Sequence, residues 1–171
     1  MRLSILMLAA LAAGTAAPAL AEEAVPATIS PPAAGQGQVV FFRPSAFVGS
    51  AIRCTVREDG KMIGRAGNGR YFVVPAAPGK HTYTTKTEAT DTLNVEVEPD
   101  ETTYVKCKIG MGLVAGRPNL SPATPDDFTK VAAKLKAQDA EDMAKAIAED
   151  EAEQAKKAAK TAVAAKGGAS N

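Results

Sequence analysis

Tryptophan is absent, histidine occurs once and cysteine twice in the 171 residues. One histidine cannot supply a site with several histidine ligands, and two cysteines cannot build a four-thiolate zinc centre. The residues therefore point to no metal site and to no cofactor. Charge of one sign is also lacking, with 20 Lys+Arg against 19 Asp+Glu. So even a balance provides no global field for holding a nucleic acid or an anionic membrane. No stretch beyond the N-terminus is apolar for long enough to cross a bilayer. What remains is a chain of one domain, with room for an appendage.

The N-terminus has the grammar of a secretory signal peptide. Arg2 forms a short positive region, residues 3–13 are apolar, and Ala19-Leu20-Ala21 is an A-x-A cleavage site. Cleavage after Ala21 removes one basic residue of the 20 and leaves 19 against 19 acidic ones. No cysteine stands directly after the cleavage site and no later stretch is apolar for long enough, so the sequence predicts neither a lipid anchor nor a transmembrane anchor in the mature chain. The expected location is periplasmic or secreted. Residues 22–36 carry Pro26, Pro31 and Pro32 without apolar periodicity, and read as a flexible leader.

From Gly37 onward, short apolar runs alternate with turn signals, the pattern of an all-β sandwich or barrel. Residues 39–42 are apolar on both sides and stop before Pro44. Residues 51–58 place Ile52, Cys54 and Val56 on one face and Arg53, Thr55 and Arg57 on the other. Asp59-Gly60 is a hairpin signal, followed by a short strand over 61–65. Asn68-Gly69, Pro78-Gly79 and Pro99-Asp100 introduce strands over 71–74, 81–87 and 102–109. Residues 92–97 alternate, and a glycine-interrupted stretch over 110–119 adds a last short strand. The reading is an all-β core: a seven- to eight-stranded antiparallel β-sandwich over residues 37–120, followed by a C-terminal helical extension.

Composition shifts after Pro122, and neither proline nor glycine occurs from Asp126 to Lys166. Thr124, Pro125 and the pair Asp126, Asp127 make a helix start. Gly167-Gly168 makes a stop. An Ala/Lys/Glu-rich helical tail is expected over 124–167, with residues 168–171 as a disordered end. Phe128, Val131 and Leu135 form a stripe able to dock on the sandwich, and Met143 with Ile147 a weaker one. The distal half has too few large apolar residues to bury much.

Several segments resemble the bacterial domain-of-unknown-function family numbered 2846. They are residues 40–50 (VFFRPSAFVGS), 56–64 (VREDGKMIG), 68–74 (NGRYFVV), 78–81 (PGKH), 86–93 (KTEATDTL) and 110–118 (GMGLVAGRP). The hairpin grammar also looks, more distantly, like PEGA-type β-sandwich modules of cell-surface proteins. The family resemblance implies an exported, sandwich-like envelope protein and assigns no chemistry. It also implies many lipoprotein relatives, a pattern from which this chain departs.

Cys54 and Cys107 both fall on apolar faces, where an oxidising compartment favours a disulfide and a reducing one leaves two buried thiols. His81 follows a Pro-Gly turn and is the lone candidate base, with Glu88 or Asp91 as carboxylate partner. No nucleophile-elbow motif accompanies it, and the blander reading is a strand histidine. The glycines over 110–116 lack the lysine and helix of a phosphate loop. The acidic run from Glu88 to Glu101 lacks calcium-loop spacing. Every arginine beyond the signal lies in the sandwich: Arg43, Arg53, Arg57, Arg65, Arg70 and Arg117. The planar guanidinium fork suits carboxylates and phosphates, and Tyr71 and Phe47 can add a stacking or hydrophobic element. Such charges also serve simply to keep sheet edges apart.

The expected function is an exported, non-enzymatic binding or structural module of the cell envelope. Its partner is expected to be an envelope protein or an anionic glycan, held around Arg43, Tyr71 and Arg117. The alternative is a periplasmic hydrolase using His81 with a nearby carboxylate.

Overall fold

In the computed structural model, residues 27–112 and 116–167 are described. The export signal at 1–21 and the C-terminal end at 168–171 lie outside them.

Asp59 and Gly60 both take positive φ, 49° and 78°. That is the backbone a two-residue hairpin turn requires, and it joins β2 (Cys54–Glu58) to β3 (Lys61–Ala66). β5 (Gly79–Lys86) and β6 (Thr90–Val97) complete a four-stranded sheet in the order β3-β2-β5-β6. The second sheet orders β8 (Arg117–Ala123), β7 (Thr102–Gly110), β1 (Gly37–Arg43), β4 (Arg70–Ala76) and the two-residue β9 (Lys136–Ala137).

The two sheets enclose a core built from the inward-facing residues of both, including Val39, Phe41, Cys54, Val56, Phe72, Tyr83, Val105 and Leu120. Phe41 stacks on Phe72 and meets Tyr83 edge-on. Gly64 admits the Phe72 ring where a Cβ would collide with it. Cys54 and Cys107 are joined in a disulfide, so β2 of one sheet is covalently tied to β7 of the other.

The pairing is mixed rather than wholly antiparallel, because β1 runs parallel to β7 and β4 parallel to β9. Alternation shows which face a residue takes but not which strand lies beside it. β8 continues to Ala123, past the expected end at 119, and contains Pro118 and Pro122. Its position at the edge of the sheet tolerates both prolines, whose missing N–H groups need not serve a second neighbour.

The helical tail read over 124–167 is two helices with a short strand between them. α1 (Pro125–Ala132) begins with a complete capping box between Thr124 and Asp127. It lays Phe128, Ala132 and the following Leu135 against Val40 and Phe42, on the outer face of the five-stranded sheet. β1 therefore contacts apolar groups on both sides, which accounts for its uninterrupted apolar sequence. Beyond Ala133 the chain abandons helical bonding for the open edge of β4. There Lys136 N–H donates to Gly69 O and Gln138 N–H to Tyr71 O, at 3.0 and 2.7 Å.

A new helix, α2 (Ala140–Gly167), starts where Asp139 accepts the Asp142 N–H at 2.9 Å. Its first half covers the free edge of β3. Arg65 N–H donates to Met143 Sδ at 3.2 Å, and Asp150 takes a bidentate pair from Arg57.

The described part of the expected flexible leader is also tied down. Ala27 and Ile29 pack beside α1, Ala27 N–H donates to Ala132 O at 3.2 Å, and Gln38 Nε2 donates to Ser30 O at 2.6 Å. Those contacts come from α1 and β1, and so are invisible to local composition.

Candidate functional site

Strand direction gives the sandwich two ends. β1, β3, β5 and β7 run toward one end, where residues 44–53, 67–69 and 87–89, and the described residues 111, 112 and 116 of the β7–β8 connection, lie between them and the strands that return. The opposite end carries the Asp59-Gly60 turn, the 77–78 connection and the 98–101 turn.

Arg43 closes β1 at the first end and is only 1% exposed. Its fork donates from Nη2 to Gly49 O at 2.7 Å and from Nη1 to Ile52 O. Both acceptors are carbonyls of the loop that follows, so the charge clamps that loop from beneath. Burial lowers the Arg43 pKa, as it must for a cation with no carboxylate partner.

Asn68 holds the same loop from the side. It donates from Nδ2 to Ala46 O at 3.0 Å and accepts the Ala46 N–H at 2.9 Å. Gly49 sits at φ 72°, and a Cβ there would meet Ile109 Cγ2 at 2.6 Å. Gly116 is pressed equally close to Ile52 and Ile109, so the loop at 44–53 packs against the arm that links β7 to β8.

A loop fastened so firmly nevertheless carries its largest side chain outward. Phe47 is 97% exposed, Val48 66%, and Met111 on the neighbouring arm 90%. Isolated surface hydrophobics are ordinary. All three lie at the loop end, Phe47 and Val48 on the loop that Arg43 holds.

The three residues expected to share a surface do not. Arg43 faces into the sandwich with Val39 and Phe41. Tyr71 lies on the opposite face of that sheet, half-buried and edge-on to the Phe128 ring at 5.7 Å. Arg117 is exposed at the start of β8, opposite Gly110. Period-two alternation separates Arg43 from Tyr71, since Arg43 aligns with Arg70 and Phe42 with Tyr71. Arg117 alone remains available at the loop end, beside Met111.

His81 has a carboxylate within reach, but it is Glu58, from the adjoining strand, rather than Glu88 or Asp91. Nδ1 lies 2.6 Å from Glu58 Oε1 and Nε2 lies 2.8 Å from Ala77 O. Asp91 instead accepts the Leu120 N–H at 2.7 Å. Burial pulls the imidazole pKa down, yet the Ala77 carbonyl and the Glu58 carboxylate together raise it above the ordinary histidine value. Both partners are acceptors, so both ring nitrogens are engaged by neighbouring strand and turn groups.

Between α2 and the four-stranded sheet lies an open cleft of about 530 Å³, lined by Arg57, Arg65, Lys86, Asp150, Glu153 and Lys157. Arg57 pairs with Asp150, and Lys157 with Glu153 at 2.6 Å. Most of its charge is thus neutralised within the seam. Among the described residues, no group of three or more His, Cys, Asp or Glu side chains is placed to hold a metal ion. No described helix is long and apolar enough to cross a membrane.

The model of a family described as "Protein of unknown function (DUF2846)" matches residues 33–118, half of the chain. The chain belongs to this family. No curated protein and no solved structure matches it, and the resemblance to PEGA-type modules finds no counterpart in these comparisons. The matched span covers both arms of the loop end, and α1 and α2 lie beyond it.

Proposed function

We propose that this protein is an exported, non-enzymatic binding module of the bacterial cell envelope, and that it docks through the loop end of its sandwich. One observation carries the reading: a buried arginine is committed to fixing a loop whose aromatic tip stands 97% exposed. Burying an unpaired guanidinium is costly. A loop with no role in contact would not require that rigidity, and a solvent-facing phenylalanine contributes little to folding.

The export signal read in residues 1–21 supports the location. The arrangement at His81, with both ring nitrogens occupied by acceptors, supports a role without catalysis. Arg117 and Arg53, both exposed at the loop end, suit an acidic partner, whether an envelope protein or an anionic glycan.

Fractionation of the native host tests this. The wild-type protein should begin at Glu22 and partition with the envelope, and Phe47→Ser should shift it to the soluble periplasmic fraction. An uncleaved cytoplasmic protein, or a Phe47→Ser variant retained like the wild type, overturns the reading.

A further inference from the structure

The two sheets end in four edges, and three of them are shielded. β3 lies beside α2, where Met143 Sδ takes the Arg65 N–H. β4 pairs with β9 at Arg70 and Tyr71 and carries Pro75 further along. β8 contains Pro118 and Pro122, and the Leu120 N–H between them is taken by Asp91. Prolines and occupied donors deprive an incoming strand of partners. β6 has none of these devices. All its residues, Thr90–Val97, stay in register with β5 without a bulge, and none is proline, lysine or arginine. Among the described residues, no backbone group of β6 bonds to any element other than β5. Thr92, Asn94 and Glu96 are exposed along it, while Leu93 and Val95 pack on the core yet stay half-buried.

We infer that β6 is an interface between two copies of this chain, paired edge to edge and antiparallel about a two-fold axis at Asn94. The order of side chains selects this occupant. Opposite residues of an antiparallel pair face the same side, so the axis must fall on a residue. With the axis at Asn94, Leu93 of one copy stands opposite Val95 of the other, Thr92 opposite Glu96, and Asp91 opposite Val97. Apolar side chains thus meet across the pair, and no two like charges do. An axis at Leu93 would instead bring Glu88 of the 87–89 turn opposite Glu98. Asn94 suits the axis, because its Oδ1 accepts from Thr82 Oγ1 at 2.9 Å while its Nδ2 has no bond among the described residues.

The two four-stranded sheets then become one continuous sheet. One strand per copy is a small interface, so the dimer is reversible. Antiparallel pairing also turns the two loop ends in opposite directions. On the reading of that end as the docking face, the dimer carries two such faces pointing apart.

Sedimentation equilibrium of the exported protein is the test. The wild type should show a concentration-dependent monomer–dimer equilibrium. Asn94→Lys sets two cations opposite each other at the axis and should weaken the dimer about fivefold, and Asn94→Asp should do the same with two anions. Mixed in equal amounts, the two variants should regain the wild-type association, because opposite charges then meet at the axis. That recovery, together with unchanged thermal unfolding, excludes misfolding as the cause of the loss. The Asn94→Lys chain also supplies a background in which association through any other edge is read alone.

A wild type that stays monomeric at every concentration overturns the inference, as does association that both variants leave unchanged or that mixing does not restore. Phe47→Ser should dimerise like the wild type. If that variant keeps its place in the envelope while the Asn94 variants dissociate, the docking reading falls and the dimer stands.

Discussion

Arg43 and His81 are two cations whose sequence contexts look alike, each beside a strand end and a proline. Their environments separate them. Arg43 meets only carbonyls and acts as a clamp, whereas His81 meets a carboxylate and a carbonyl and acts as a proton-dependent tie between β5 and the β2–β3 hairpin. The sign of the pH dependence follows from the raised pKa of His81. Its contribution to stability is complete below the unfolded-state value of about 6.5 and disappears as pH rises through the higher folded-state value. Urea midpoints should therefore decline across that window in the wild type. In His81→Gln this component of the slope should vanish, and an unchanged slope would remove the tie. The arginine type was legible in the sequence and its burial was not, because the carbonyls that receive it belong to a loop whose path depends on Ile109 and Asn68.

At the scale of elements, the helical extension is two devices rather than one. The Thr124 cap and the Phe128-Val131-Leu135 stripe were legible, since both follow from spacing along one helix. The interruption at 133–139 was harder to see. Asp139, followed by Glu141 and Asp142, is a second helix start that the absence of proline and glycine conceals. What breaks the helix is the unpaired edge of β4, which offers Gly69 and Tyr71 carbonyls to Lys136 and Gln138.

α2 then blocks the edge of β3, a place where an open strand would invite pairing with another copy. Truncation distinguishes its two halves. Removing residues 158–171, which follow the cleft-lining Lys157, should change unfolding stability by less than about 0.5 kcal/mol. Removing everything after Asp139 should expose β3 and produce concentration-dependent association in sedimentation velocity. A monomeric product would show that the edge needs no cover.

Over the whole molecule, the disulfide and the charge distribution act between parts that are remote in sequence. Cys54 and Cys107 close a separation of 53 residues and hold the two sheets together across the core. Replacing either by serine should lower unfolding stability by about 2–4 kcal/mol. Guanidinium denaturation of Cys54→Ser and Cys107→Ser measures it, and a loss below about 0.5 kcal/mol would mean the core alone fixes the sheets. The near-equality of 20 basic and 19 acidic residues likewise conceals an arrangement, with Glu58, Asp59, Glu96, Glu98, Asp100 and Glu101 gathered at the turns opposite the loop end.

The sequence by itself determined the local physics of this protein. Strand faces, the Asp59-Gly60 turn, the inward cysteines and the cap of α1 each depend on residues within a few positions of one another. Backbone geometry imposes periods of two and about 3.6 whatever surrounds it. Only the tertiary structure decided that Arg43 is buried, that Tyr71 faces away from it, that the tail folds back along two sheet edges, and that Phe47 stands clear of the core. Those outcomes depend on which distant segments fill the space around a side chain, and burial and pairing are properties of that space rather than of the local chain.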